Sequence, residues 1–112
     1  MRYMLIICDD ESDVVSPSEH MTRPEFVAWY EEMDRRGILL GGERLRPTNE
    51  AASVQVRGGE VLATDGPFAE TKEQMGGFAI LECADLDEAA EIAARHPVAR
   101  FGTIEVRPIW EF

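Results

Sequence analysis

The spacing of the hydrophobic residues changes along this chain between a strand-like and a helix-like pattern. The order of these changes restricts the fold more than any other feature. A continuous apolar run at residues 3–8 predicts a strand that is buried on both faces or central in its sheet. An apolar stripe at helical spacing then predicts an amphipathic helix, and its members are Phe26, Trp29, Tyr30 and Met33. A polar connection at residues 9–21 separates the two. A strand followed by a helix is the first half of a β-α-β unit.

The later segments repeat this alternation. Strands are predicted at 38–45, 53–57, 60–64, 77–83 and 103–107. Gly58-Gly59 predicts a tight hairpin between the second and third of these. Asp85 and Glu88 predict the start of a second helix. Its predicted inner face is formed by Leu86, Ala89, Ala90 and Ala93, with Ile92 beside them. The order is β-α-β-β-α-β with an inserted hairpin, so we expect an α+β fold in which both helices cover one face of an antiparallel sheet.

The sheet face opposite the helices also needs a cover. An exposed apolar face is a liability, and a second copy of the chain would bury it, so we expect a homodimer. Trp110 and Phe112 near the end of the sequence are candidates for docking on that partner subunit.

Length and charge limit the class of protein. The 112 residues predict a single domain spanning 1–112. The net charge of −11 argues against a nucleic-acid partner and against an anionic membrane, because both require a basic surface. No signal peptide or membrane span is predicted, so we expect a cytoplasmic protein. Cys8 and Cys83 lack metal-type spacing, and no cofactor fingerprint occurs, so neither a metal nor a cofactor is expected.

A long irregular segment at 64–77 is the first candidate for a functional site. Loops of about ten residues inside a compact domain are usually functional or disordered. This one joins a turn signal, Asp-Gly-Pro, to an aromatic residue and then places Glu70, Thr71 and Lys72 side by side. We therefore predict a pocket beside this loop.

The same segment carries a family resemblance. The chain resembles the YCII-related family, in the subgroup named for Asp-Gly-Pro-Phe, along the segments 3–6, 37–45, 61–77, 85–89 and 105–108. The resemblance implies a ferredoxin-like fold of the dimeric α/β-barrel type and an association with extracytoplasmic-function sigma factors, but no established general reaction. In the enzyme-like branch a histidine of the first helix works with an aspartate, and Phe26 occupies that histidine position here. That pair is therefore not carried over.

Two residues are candidates for acid–base catalysis. Asp65 would be a general base or a ligand anchor if it were partly buried, and otherwise its carboxylate would tie the turn by accepting backbone N–H groups. His20 lies in a polar segment from which it could reach over the pocket, or it is simply solvated. His96, by contrast, is expected at a helix C-terminus, where it would interact with the helix dipole.

Six more residues are candidates for binding a ligand: Glu43, Arg44, Phe68, Glu70, Thr71 and Lys72. Arg44 would suit a carboxylate or phosphate, and its alternative is a surface ion pair with Glu43. Glu70 and Lys72 would orient a substrate carbonyl, or would form a local ion pair that stiffens the loop. Phe68 is expected either to pack beneath the loop or to stack on a ligand.

Two functions follow from these residues, and a structural dimer that binds no ligand is a third alternative. The first is a small-molecule enzyme that performs acid–base chemistry on a polar carbonyl compound, with Asp65 as the acid–base group and Arg44 or Lys72 as its electrostatic partner. The second is a non-catalytic ligand-binding or regulatory module that associates with a sigma factor, and the missing histidine favours it. The sequence leaves open whether the protein is an enzyme.

Overall fold

The fold is built on a four-stranded antiparallel sheet. The computed structural model describes residues 1–11 and 23–112. The sheet has the strand order β2-β5-β1-β6, and its strands are β1 (Arg2–Asp9), β2 (Leu39–Arg44), β5 (Gln74–Glu82) and β6 (Thr103–Pro108). The apolar run of the first predicted strand thus lies at a central position, as predicted.

Both helices pack on the same face of this sheet. They are α1 (Pro24–Arg35) and α2 (Leu86–Ala94), and a short 3₁₀ turn at Pro97–Arg100 follows the second. Alternate residues of β1 point into the core, because successive side chains of a strand face opposite sides. The core therefore joins Tyr3, Leu5 and Ile7 to Trp29 and Met33 of the first helix. This is the predicted α+β arrangement with ferredoxin-like strand order.

The other face of the sheet carries an apolar set of its own. Met4 lies opposite Ile80, and Ile6 lies opposite Phe78, in the register of β1 and β5. We call these four residues the outer face. All four are half-buried in the single chain.

The inserted hairpin stands apart from the main sheet. Its strands β3 (Ala52–Arg57) and β4 (Glu60–Asp65) pair only with each other. Gly58 and Gly59 form the turn with φ angles of 58° and 82°, the left-handed values that glycine adopts without strain. Gly37 likewise ends α1 at a φ of 71°, as its position after the apolar stripe requires.

One prediction about α2 is wrong in part. Leu86 and Ala90 are exposed, and only Ala89 and Ala93 of the predicted inner face are buried, together with Ile92 beside them. Leu86 and Ala90 lie one helical turn apart, so that side of the helix faces away from the core. His96 follows the C-terminal end of α2, and its ring is buried because Phe26, Trp29 and Tyr30 surround it.

None of the helices in the described part of the chain is both long enough and apolar enough to span a bilayer.

Candidate active site

Four strand ends meet at one edge of the sheet. β1 and β2 finish there, and β5 and β6 begin there, because both neighbours of β1 run antiparallel to it and β2 runs antiparallel to β5. The central loop at 66–73 enters β5 at this same edge. We call this region the carboxyl end of β1. Two cavities open here, and the residues between them are charged.

Asp9 and Arg44 approach each other at this edge from strands that are not neighbours. Asp9 is the last residue of β1, Arg44 is the last residue of β2, and β5 lies between them. Their charged groups are nevertheless 4.0 Å apart, from Arg44 Nη1 to Asp9 Oδ2. Asp9 is only 2% exposed, and the Arg44 side chain is 18% exposed.

Glycine in the middle strand allows this approach. A Cβ atom at Gly76 would lie 3.1 Å from Asp9 Oδ1 and 3.3 Å from Arg44 Nη1. A Cβ atom at Gly77 would lie 2.9 Å from the backbone oxygen of Glu43. The Gly76-Gly77 pair of the sequence motif therefore makes room for the ion pair and for the close packing of β2 on β5.

The first cavity lies against Arg44. It has a volume of about 20 Å³, enough for a single water molecule or one ligand oxygen. Its walls come from the sheet, from α1 and from the turn after α2, and its residues are Ile7, Phe26, Tyr30, Glu43, Arg44, Gly77, His96 and Val98. The lining of this cavity is mainly apolar, so a polar ligand atom placed in it can form hydrogen bonds only with the few polar groups present.

Arg44 has donors that the described residues do not use. Its Nε atom is buried and has no hydrogen-bond acceptor among residues 1–11 and 23–112. Its one charged contact in that part of the chain is the 4.0 Å pair with Asp9, which is longer than a hydrogen bond. A guanidinium group offers five N–H donors, so Arg44 can donate to a ligand oxygen in the adjoining cavity.

Tyr30 lines the same cavity and carries a hydroxyl group. Burial raises the pKa of Tyr30 above its ordinary value of 10.0, Arg44 acts in the opposite direction, and Glu43 adds to the increase. The hydroxyl therefore stays protonated at physiological pH and can donate a hydrogen bond. The ring is fixed by edge contacts with Trp29 and His96, at centroid distances of 5.0 and 6.1 Å.

The His96 ring helps to form the rigid wall of this cavity. Its centroid lies 4.8 Å from that of Trp29 and 5.6 Å from that of Phe26, in both cases with the rings nearly perpendicular. His96 Nδ1 accepts a hydrogen bond from the Val98 backbone N–H at 3.1 Å, which also starts the 3₁₀ turn. The structure thus gives His96 a packing role close to the candidate site.

The second cavity lies between the central loop and the turn after β2. It is larger, about 450 Å³, and polar. Its residues are Asp10, Glu11, Thr48, Asn49, Gly66, Pro67, Glu70, Thr71, Lys72 and Gln74. Its size would suit a small polar metabolite.

Hydrogen bonds hold both walls of this second cavity. Glu11 accepts from the Thr48 backbone N–H at 2.8 Å and from the Thr48 hydroxyl at 2.5 Å. On the other side, Gln74 Nε2 donates to the backbone oxygens of Ala69 and Thr71 at 2.8 and 3.2 Å. These contacts give the irregular loop a defined shape without a secondary-structure period.

The sequence-predicted residues are divided between these cavities and the surface. Arg44 and Glu43 line the first cavity, and Glu70, Thr71 and Lys72 line the second. Phe68 is 84% exposed, so it does not pack beneath the loop.

Of the two predicted acid–base residues, the structure describes only Asp65. Asp65 is exposed at the end of β4 and lines neither cavity, and its carboxylate makes no hydrogen bond or ion pair with the described residues. The burial on which its proposed chemistry depended is therefore missing. His20 lies outside the described residues.

Asp9 and Tyr30 are the residues that sequence reasoning missed. Asp9 is not among the residues predicted from the sequence to form the site, and Tyr30 is predicted only as part of the apolar stripe of the first helix. A signal was present for Asp9, since it continues the inward alternation of Tyr3, Leu5 and Ile7. A carboxylate at an inward position of a central strand indicates a buried acid.

In the described part of the chain, no group of three or more His, Cys, Asp or Glu side chains is arranged to hold a metal ion. The chemistry available at the carboxyl end of β1 is that of a buried carboxylate, a guanidinium and a neutral phenol.

Comparisons with known proteins place the chain in a family. It is 48% identical over 99 residues to an uncharacterized protein of Rhizobium meliloti (strain 1021), across 73% of this chain and 80% of that protein. It is also similar to the solved structure of 5-chloro-2-hydroxyhydroquinone dehydrochlorinase from Burkholderia phenoliruptrix AC1100 in complex with 2,5-dihydroxybenzoquinone. That likeness has a TM-score of 0.49 and 16% identity, over 99% of this chain and 94% of that one. The model of the YCII-related domain matches residues 1–112, and the chain belongs to the YCII-related family.

Proposed function

We propose that this protein is an enzyme that binds a small polar carbonyl compound at the carboxyl end of β1 and catalyses proton transfer on it. The observation that carries the proposal is the Asp9–Arg44 pair: a carboxylate that is 2% exposed, 4.0 Å from a guanidinium with a buried, unused donor. Asp9 itself lines neither cavity, and it would reach a ligand beside Arg44, which lines the first. A buried acid with a specific charged partner next to a cleft is a candidate for a catalytic group.

The proposed chemistry divides two roles between the two groups. Arg44 donates an N–H to the carbonyl oxygen, which draws electrons towards that oxygen. Asp9 takes a proton from the carbon next to the carbonyl. The electron pair of the broken C–H bond forms a C=C bond, and the π pair of the carbonyl moves onto its oxygen, where the guanidinium balances the negative charge of the enolate. Return of the proton from Asp9 to a different atom of the enolate completes an isomerisation. Alternatively, a leaving group on the next carbon departs with its bonding electron pair, the carbonyl re-forms, and an elimination is complete.

Tyr30 and the central loop supply positioning. The neutral Tyr30 hydroxyl can donate a second hydrogen bond in the small cavity, which accepts only a ligand oxygen. The remainder of the ligand would lie towards the larger cavity, where Thr71 and Lys72 offer a hydroxyl and an ammonium group. In the enzyme-like branch of the family, a histidine of the first helix works with an aspartate. Phe26 occupies that histidine position here and lines the first cavity with an apolar ring, so in our proposal Asp9 and Arg44 take the place of the histidine–aspartate pair.

We also propose that the protein works as a homodimer. The apolar residues of the outer face are only half-buried in one chain, and a second copy would complete their burial. Membership of the Asp-Gly-Pro-Phe subgroup and a cytoplasmic location remain predictions from the sequence. The regulatory alternative, an association with a sigma factor, also remains a prediction from the sequence.

A ligand screen tests the proposal directly. Small hydroxy-carbonyl and dicarbonyl compounds are screened by thermal shift against the wild-type protein, Arg44→Met and Arg46→Met. Arg46 is the matched control because it is an exposed arginine two residues away whose ion pair is with Glu50. We expect a compound that raises the melting temperature of the wild type and of Arg46→Met but not of Arg44→Met. Equal shifts in all three proteins would place the ligand elsewhere.

A further inference from the structure

β6 is an edge strand whose backbone is paired on one side. Among the described residues its only partner strand is β1. The Ile109 backbone N–H donates to the Arg2 oxygen at 2.9 Å and continues this ladder beyond the strand. In an antiparallel ladder alternate residues bond to the neighbouring strand, and the residues between them point the other way. Counting back from Ile109, the residues that point outward are Ile104, Val106 and Pro108.

These outward residues form an open row of backbone groups, which we call the β6 edge. Ile104 and Val106 each present an N–H and a C=O, and Pro108 presents a C=O alone because proline has no N–H. Such a row can accept another strand, and proline on an edge strand limits how far the pairing extends. The β6 edge is therefore suited to a short contact with one more strand.

An apolar groove runs beside the β6 edge on the helix side of the sheet. It has a volume of about 300 Å³ and lies between α2 and β6. Ile104 and Val106 lie opposite Ile7 and Leu5 in the register, so their side chains point to the same side of the sheet as the core. Both side chains line the groove and are only partly buried.

α2 borders the same groove with an exposed row of apolar side chains. Leu86, Ala90 and Ala94 are spaced by four residues, so they share one side of the helix. All three are exposed, and Ala90 and Ala94 line the groove. We call this row the α2 stripe. It leaves an apolar surface directly beside the β6 edge.

A second copy of the chain fits the β6 edge and the α2 stripe together. Two β6 strands that pair antiparallel are related by a two-fold axis perpendicular to the sheet, so the contact joins like edges and is isologous. The same axis keeps the helices of both copies on one side and brings the two α2 stripes face to face. We infer that two copies join through their β6 edges into one continuous sheet, with the α2 stripes packed against each other above it.

The charges of β6 determine the register of this pairing. Glu105 and Arg107 lie on the sheet face away from the helices and form an exposed ion pair within the chain. When Val106 pairs with Val106 of the second copy, each Glu105 lies directly opposite an Arg107, so cross-strand pairs of opposite charge form in both directions. A register centred on Glu105 would instead oppose like charges in chains of net charge −11. Charge complementarity therefore selects the Val106 register.

Hydrogen bonds and helix packing agree with this register. The Val106 N–H donates to the Val106 oxygen of the other copy in both directions, and the Ile104 N–H donates to the Pro108 oxygen, a bond that needs no N–H from proline. Above the strands, short alanine side chains allow the two helices to approach to the usual packing distance of about 8–10 Å. The contact uses neither the outer face nor the Asp9–Arg44 pair, so it does not depend on the proposed reaction.

Amide hydrogen exchange tests the contact at the β6 edge itself. In exchange followed by NMR on the full chain, we expect the Val106 N–H to exchange about tenfold or more slowly in concentrated than in dilute protein, because pairing with a second copy protects it. The Glu105 and Arg107 N–H groups donate to β1 within each chain, so they are the internal control and should be protected at both concentrations. Fast exchange of Val106 at every concentration would overturn the inference.

Charge variants test the register. Glu105→Arg opposes arginine to Arg107, and Arg107→Glu opposes glutamate to Glu105. Each variant alone should therefore raise the dissociation constant obtained from Val106 exchange by about tenfold. A mixture of the two variants should restore association, because each strand then meets one of opposite charge. A mixture that associates no better than its separate components would contradict the register and overturn the inference.

A helix variant tests the α2 stripe. Ala90→Glu places a carboxylate in the stripe and should raise the same dissociation constant by about tenfold or more. Ala28→Glu, on the exposed side of α1, is the matched control and should leave that constant unchanged. A constant unaffected by Ala90→Glu would overturn the packing of the stripes. A dimer that forms without protecting Val106 would overturn the edge contact while leaving the outer-face homodimer and the proposed chemistry intact.

Discussion

Asp9 and Arg44 form an ion pair across a strand that separates them, with 4.0 Å between Arg44 Nη1 and Asp9 Oδ2. Two strands that flank a third are normally about 9–10 Å apart, and the side chains of the middle strand fill the space between them. Here the middle strand carries Gly76 at that level, so the two charged groups can meet over its backbone. The glycine step of the loop motif is thus part of the candidate site.

The first prediction concerns Gly76. Gly76→Ala should destabilise the protein by about 1–2 kcal/mol, because the new methyl group would lie 3.1–3.3 Å from Asp9 and Arg44. Gly41→Ala is the matched control in the same sheet, since nothing lies within 4 Å of a Cβ atom there. Urea unfolding of both variants measures the difference. Equal stabilities would show that the Asp9–Arg44 approach does not depend on glycine.

The second prediction concerns the ion pair itself. Removing Arg44 leaves a nearly buried carboxylate without this partner, and removing Asp9 leaves a largely buried guanidinium. A double-mutant cycle with Asp9→Asn and Arg44→Met should therefore give a coupling free energy of about 1–2 kcal/mol. The same cycle on Arg46 and Glu50, an exposed pair, should give about 0.5 kcal/mol or less. Additive effects of Asp9→Asn and Arg44→Met would argue against an interaction.

The third prediction concerns pH. Folding raises the pKa of Tyr30 above 10.0, mainly through burial. Between pH 10.0 and this raised pKa, the folded state therefore keeps the hydroxyl proton that the unfolded state loses. Stability from this group is unaffected below pH 10 and decreases as the pH rises from 10.0 towards the raised pKa. Tyr30→Phe should make the alkaline loss of stability shallower. An unchanged pH profile in Tyr30→Phe would contradict the assignment.

The fourth prediction concerns the thiols. Burial raises the pKa of Cys8 above 9.0, and the acids Glu73, Glu105 and Asp9 add to the effect. Burial also raises the pKa of Cys83. Both should react with iodoacetamide more slowly than free cysteine at neutral pH, by about tenfold, because the thiolate is the reactive form. Mass spectrometry should show fast labelling of the same residues in denaturant, and fast labelling in the native protein would contradict the shifts.

The architecture could be predicted because it depends on local patterns. The alternation of strand and helix periods, the Gly58-Gly59 turn and the glycine that ends α1 each act through neighbouring residues. The same reasoning failed for Phe68, because an apolar side chain in a loop does not reveal which neighbours are available to cover it. Its exposure depends on the distance of the loop from the core.

The site was harder to predict, because its main contact joins distant parts of the chain. Arg44 was a candidate from its sequence context, but its partner Asp9 lies 35 residues earlier and on a strand that does not pair with β2. Asp65 looked more promising because it starts the motif, although motif position says nothing about burial. The inward alternation of β1 was the one sequence signal that pointed to Asp9.

The most direct test of the proposed chemistry is deuterium exchange into a bound carbonyl compound, followed by NMR in heavy water. The compound is the one that stabilises the wild type in the ligand screen, and the proteins compared are the wild type, Asp9→Asn and Asp65→Asn. We expect the wild type and Asp65→Asn to exchange the proton next to the carbonyl at equal rates, and Asp9→Asn to be slower by about 100-fold or more. Full exchange by Asp9→Asn, or loss of exchange only in Asp65→Asn, would contradict a catalytic role for Asp9.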